Sequence, residues 1–120
     1  MKLENLTEKK ITWVDGNLSD VPYILYKEDK IFEQEQEKIF RGNSWNYLCL
    51  EAELNQPGDF RTTFVGTTPV IVIKDDEGDY YAFENRCVHR GALIALERQG
   101  NAKSFQCVYH AWNYDQQGNL

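Results

Sequence analysis

Two short clusters hold the chemistry of this chain: Cys87-Val88-His89 and Cys107-Val108-Tyr109-His110. The 120 residues include two histidines and three cysteines, and both histidines and two of the cysteines fall inside this window. Seventeen residues separate His89 from Cys107. Two thiolates and two imidazoles can hold one tetrahedral zinc ion or one [2Fe–2S] cluster of mixed ligation. Zinc fingers and ribbons usually bring like ligands together, at C-x2–4-C and H-x3–5-H. Here each cluster supplies one Cys and one His. That pairing suits two inequivalent irons, with each loop giving a thiolate to one and an imidazole to the other. The competing readings are a Cys2His2 zinc site and a metal-free pair of buried cysteines beside two satisfied histidines.

Something must position these loops. At 120 residues the chain is one domain or part of one, and 42% hydrophobic with 13% aromatic residues is enough for a real core. Thirteen Lys and Arg against nineteen Asp and Glu give a net charge of −6, which disfavours a nucleic-acid surface and suits a soluble protein. No run of 18 apolar residues is present, so no membrane span is expected. The first ten residues have no apolar core of the kind a signal peptide needs. With Cys87 and Cys107 committed to a metal, Cys49 has no disulfide partner, which fits a reducing cytoplasm. Cys49 reads as a small buried hydrophobe.

The hydrophobic pattern gives a fold class that is mainly β with an N-terminal helix (α+β). Residues 1–20 are polar and weakly periodic, with Trp13 and Val14 expected to lie against something. Val21-Pro22-Tyr23 reads as an extended entry, because the residue before proline avoids the α region. A helix is expected over about 29–41, with Asp29 as N-cap, Gly42 as C-terminal stop, and Ile31, Phe32, Ile39 and Phe40 as one apolar stripe. The charge run from Glu33 to Glu37 reads as a solvated face, with docking of a redox partner as the alternative. From Ser44 the period changes to two. Strands are expected at 45–50, 60–65, 69–74, 80–84, 104–107 and from 113. Turns are expected at 57–59, 75–79, 99–101 and 116–119. The loop from Asn85 to about Ala92 carries the first Cys-His pair and the loop after 107 carries the second. The expected product is a small antiparallel β domain with two metal-binding loops at one end.

The phrases Cys87-Val88-His89-Arg90-Gly91-Ala92 and Cys107-Val108-Tyr109-His110-Ala111-Trp112 resemble the Rieske [2Fe–2S] signature, in the form found in the large (α) subunit of aromatic-ring-hydroxylating oxygenases. Ile39-Phe40-Arg41, Trp45-Asn46-Tyr47 and Pro57-Gly58-Asp59-Phe60 are similar to the same family, so the resemblance runs from about Val21 onward. Ala111 stands where the family usually has Gly. The respiratory branch carries a disulfide between its two ligand loops. The matching positions here are Ala92 and Tyr109, and Trp112 stands where that branch has a serine near the cluster. With fewer hydrogen bonds to sulfur, the potential is expected in the lower part of the Rieske range of roughly −150 to +300 mV. Within the oxygenases the chain looks closest to enzymes acting on aromatic carboxylates, such as anthranilate dioxygenase and salicylate hydroxylase.

The resemblance implies roles. Cys87 and Cys107 would ligate one iron of a Rieske [2Fe–2S] cluster, and His89 and His110 the other. Arg90, Tyr109 and Trp112 would surround them: Tyr109 aiming its hydroxyl at the cluster region, Trp112 walling off water, Arg90 serving as an ion-pair partner. Residues 1–43 would be an N-terminal segment and 44–120 a Rieske domain incomplete at its C-terminus. A catalytic domain outside this chain would hold the mononuclear Fe(II). A ferredoxin or reductase would supply electrons, and the whole protein would be a homotrimer or an α3β3 assembly with a small subunit, in the cytoplasm, without nucleic acid or membrane. The alternative is a stand-alone Rieske ferredoxin-like electron carrier.

Overall fold

The computed structural model describes residues 11–13 and 19–120. Val14 and residues 1–10 lie outside the described residues. The alternating stretches condense into a four-stranded antiparallel sheet and a two-stranded one. The large sheet comprises β1 (Asp59–Val65), β2 (Thr68–Lys74), β3 (Tyr80–Glu84) and β4 (Gln99–Asn101), in the order β3-β2-β1-β4. The small sheet pairs β5 (Phe105–Gln106) with β6 (Asn113–Tyr114). Val70-Ile71-Val72-Ile73 is buried throughout, as a continuous apolar run in a central strand should be. Ile71 faces Phe83 across β3, and Ile73 faces Phe60 across β1 and Tyr81 across β3. These side chains join Ile94, Ala95, Phe105, Tyr114, Cys87 and Cys107 in one core. Phe105 meets the edges of Phe60 and Phe83, with ring centroids 5.1 and 5.9 Å away. The small sheet is thereby locked onto the large one.

Two turns use one device. In both, an aspartate side chain caps the turn it opens: Asp75 Oδ1 accepts the Glu77 and Asp79 N–H groups, and Asp115 Oδ1 accepts those of Gln117 and Asn119. The second aspartate is also gripped by the Asn119 side chain, and these bonds hold its carboxyl below the usual range.

Six expectations are corrected. The helix is α-helical only over Asp29–Glu35 (α1) and continues as a π turn over Gln36–Phe40. Glu28, not Asp29, occupies its cap position, and no side chain caps it. The expected apolar stripe is not the buried face: Phe32 and Ile39 are exposed while Gln36 is buried. The Gln36 Oε1 accepts the Thr67 N–H at 2.9 Å, which docks this end of the helix on the β1–β2 turn. Gly42 does not stop the helix by a left-handed φ. It leaves room for the Lys38 carbonyl, which any Cβ there would strike. Residues 45–50 are not the expected strand: the described residues give them no strand partner, and Trp45, Tyr47 and Leu50 are exposed. The chain is instead tied down just beyond, where Glu53 pairs with Arg61 and accepts the Leu50 N–H at 2.8 Å. Finally, Gln99-Gly100-Asn101 is strand β4 rather than a turn. Its backbone pairs with β1, and the Phe60 ring lies where a Cβ at Gly100 would be. Turn-forming composition is here overridden by an open strand edge.

Asn85 ends β3's side of the core and begins the first ligand loop. Although buried, it is fully engaged: its amide donates to the Ala95 carbonyl at 2.8 Å, and its oxygen accepts the Ile94 and Ala95 N–H groups at 2.9 Å. Asn85→Ala leaves three buried backbone groups without partners. A loss of about 2–4 kcal/mol of stability is expected, read by chemical denaturation.

Candidate metal centre

The two Cys-His loops have the same backbone. In the first, the Gly91 N–H donates to the Cys87 carbonyl at 2.7 Å and the Cys87 N–H to the Ala92 carbonyl at 2.7 Å. In the second, the Ala111 N–H donates to the Cys107 carbonyl at 3.0 Å and the Cys107 N–H to the Trp112 carbonyl at 2.8 Å. Both turns need a left-handed residue four positions after the cysteine: Gly91 has φ 74° and Ala111 has φ 61°. Ala111 is the one non-glycine residue with positive φ among the described residues. Alanine carries there a conformational cost of about 1–2 kcal/mol that glycine would not. The histidines occupy different places in these matched turns, two residues after Cys87 and three after Cys107.

The four sequence-predicted donors converge. Cys87, His89, Cys107 and His110 line one cavity of about 260 Å³, together with Arg90, Ala92 and Tyr109. Both thiols are buried and unpaired, at 3% exposure each, whereas both imidazoles are exposed. The imidazoles meet edge to face with centroids 4.7 Å apart. Sulfur therefore lies on the core side of the cavity and nitrogen on the solvent side. The third cysteine, Cys49, does not line this cavity and is half-buried; burial raises its thiol pKa against the pull of Arg61.

Of the three neighbouring residues, Trp112 does most. Its indole lies flat on His89, with centroids 5.0 Å apart and planes 18° apart. Tyr109 is exposed and stacks loosely on His110 at 6.3 Å. Arg90 forms no ion pair among the described residues. Its contribution is through the backbone, because its N–H helps to stabilise the Cys87 thiolate.

Tyr114 was not singled out by sequence reasoning. Its hydroxyl donates to Cys87 Sγ at 3.2 Å and accepts the Val88 N–H at 3.0 Å. This bond leads the interactions that hold the Cys87 thiol below its ordinary value; the His89 and Arg90 N–H groups and the Cys107 thiol add to it, against burial. The same bond raises the Tyr114 phenol. The available signal was a tyrosine in a two-residue strand after the second loop, since a buried tyrosine needs a partner for its hydroxyl.

Fold and site define a small antiparallel β domain whose paired loops present a two-cysteine, two-histidine set. Residues 44–120 match the Rieske [2Fe-2S] domain family, and the chain belongs to it. It is 54% identical over 115 residues to the terephthalate 1,2-dioxygenase terminal oxygenase component subunit alpha 2 of Comamonas sp, covering 96% of this chain and 28% of that protein. It is 49% identical to the anthranilate 1,2-dioxygenase large subunit of Burkholderia cepacia, covering 85% and 24%. The naphthalene 1,2-dioxygenase structure from Rhodococcus sp. superposes with a TM-score of 0.72 at 32% identity, over 79% of this chain and 21% of that one. The chain thus spans about a quarter of the length of the curated relatives it matches. No helix among the described residues is long and apolar enough to cross a membrane.

The donor set fits the family's cofactor, with two unpaired thiols side by side and two accessible imidazoles. A hydrogen bond to a ligand sulfur favours the reduced, more negative cluster. Tyr114→Phe removes that bond, worth about 0.5–1.5 kcal/mol. At 59 mV per tenfold for one electron, the midpoint potential is expected to fall by roughly 20–60 mV in protein-film voltammetry.

Proposed function

We propose that Cys87 and Cys107 ligate one iron of a [2Fe–2S] cluster and His89 and His110 the other, and that the chain is the electron-transfer part of an aromatic-ring-hydroxylating oxygenase large subunit. The observation that carries this reading is the convergence of the four donors on one cavity, sulfur inward and imidazole outward. When bound, the cluster supplies one-electron acceptor and donor chemistry, and neutral imidazole ligands raise its potential above that of an all-thiolate cluster. The chain's residues supply the rest. Tyr114 and the backbone N–H groups of His89 and Arg90 stabilise negative charge on the inner sulfur. His89 and His110 each keep a ring nitrogen free for a proton at the solvent face, where an electron donor or acceptor can approach. Trp112 covers one side of His89.

In the whole protein a ferredoxin or reductase delivers the electron, and a separate catalytic domain holds a mononuclear iron. An assembly of three large subunits, with or without a small subunit, works in the cytoplasm. Names of relatives acting on terephthalate and anthranilate support an aromatic carboxylate as substrate. Identity of about half to such large subunits favours this reading over a stand-alone ferredoxin-like carrier.

Two experiments test the assignment. His89→Cys adds a negative ligand. The reduced protein is expected to keep a cluster whose potential falls and whose EPR spectrum moves towards the all-cysteine type. An unchanged potential would remove His89 from the ligand set. Oxygen activation at a facial triad needs two further histidines, and the chain has only the two already committed. Reduced 120-residue protein, mixed with oxygen and an aromatic carboxylate, is expected to reoxidise without hydroxylated product. Stoichiometric product by mass spectrometry would show the count to be mistaken.

A further inference from the structure

The two ligand loops are each closed by their own hydrogen bonds, and beyond the neighbouring thiols three side chains at the exit of the second loop join it to the first. His110 meets His89 edge-on at 4.7 Å, Trp112 lies flat on His89 at 5.0 Å, and Tyr114 bonds Cys87 at 3.2 Å and Val88 at 3.0 Å. These three residues alternate along the exit of the second loop. They grip the first loop at three consecutive residues. No disulfide joins the loops, since all three cysteines are free.

The matched backbones make the arrangement asymmetric. Trp112 stands five residues after Cys107, and its carbonyl closes the second turn. The residue in the same place in the first turn is Ala92, whose carbonyl accepts from Cys87 in the same way. A tryptophan in one turn covers the histidine of the other, while an alanine leaves His110 with no equivalent cover among the described residues. Tyr109 stacks beside His110 only at 6.3 Å and is itself largely exposed.

We infer that Trp112 is a positioning residue: its indole face staples the second loop to the first and fixes the ring plane of His89, leaving His110 as the freer of the two imidazoles. A flat aromatic contact of this kind is enough to bias a ring's orientation but not to create the fold. The inference rests on the ligand assignment proposed above, and it makes the two histidines inequivalent for a reason that lies outside the cluster.

The test uses the cluster-loaded protein labelled with 15N-histidine, in three forms: native, Trp112→Leu and Trp112→Phe. Leucine keeps apolar bulk without a flat face; phenylalanine keeps a face. Two readouts are taken, the histidine nitrogen couplings of the reduced protein by pulsed EPR and the rate of iron release to a ferrous chelator. In Trp112→Leu one coupling is expected to broaden or shift while the other stays, with release roughly three- to tenfold faster. Trp112→Phe is expected to keep both couplings and to release iron within about twofold of native, since a smaller ring still stacks. If Trp112→Leu does not fold, Trp112→Phe decides alone, and fast release or a disturbed coupling there overturns the inference. Native-like behaviour of Trp112→Leu, or both couplings moving together, also overturns it. Native protein lacking two histidine couplings would instead overturn the ligand assignment.

Discussion

Two thiols must sit side by side against an apolar core without forming a disulfide. That constraint organises the domain. A buried thiolate is costly unless hydrogen bonds receive its charge. Here they come from the Tyr114 hydroxyl and from the N–H groups that follow Cys87 in its own turn. The cysteines are core residues in the full sense, packed with Phe60, Ile71, Ile73, Phe105 and Tyr114. The histidines, two or three residues further on, are already at the surface. A turn that begins inside and ends outside would give the proposed cluster one protected side and one accessible side.

The rest of the fold serves the placement of those turns. Strands β5 and β6 contribute two residues each, too little to be stable alone. Phe105 is edge-packed against Phe60 and Phe83, and Gln116 ties the following turn back to the Asp76 N–H and the Ala102 carbonyl. On the other side, buried Asn85 fixes residues 94 and 95 beneath the first loop. Every buried side-chain nitrogen and oxygen among the described residues has a hydrogen-bond partner. The polar groups around the site therefore hold geometry rather than store strain. Ala111 is the exception, a residue in a conformation that glycine adopts more cheaply.

What the sequence determined by itself was local. The four donors were legible because their types and spacing are rare together. The strands at 60–65, 69–74 and 80–84 were legible because alternation and apolar runs are properties of consecutive residues, and the turn at Asp75–Asp79 because its residues cap their own backbone. What only the tertiary structure decided depended on residues distant in the chain. Gln99–Asn101 is a strand because β1 has an open edge, and Gly100 is required because Phe60 crosses it. The helix widens at Gln36, where that residue reaches Thr67, thirty-one positions away. The roles of Tyr114 and Trp112 depend on the second loop lying against the first. Neither the hydrogen bond to Cys87 nor the ring on His89 can be read from neighbours in sequence, because each joins side chains more than twenty residues apart.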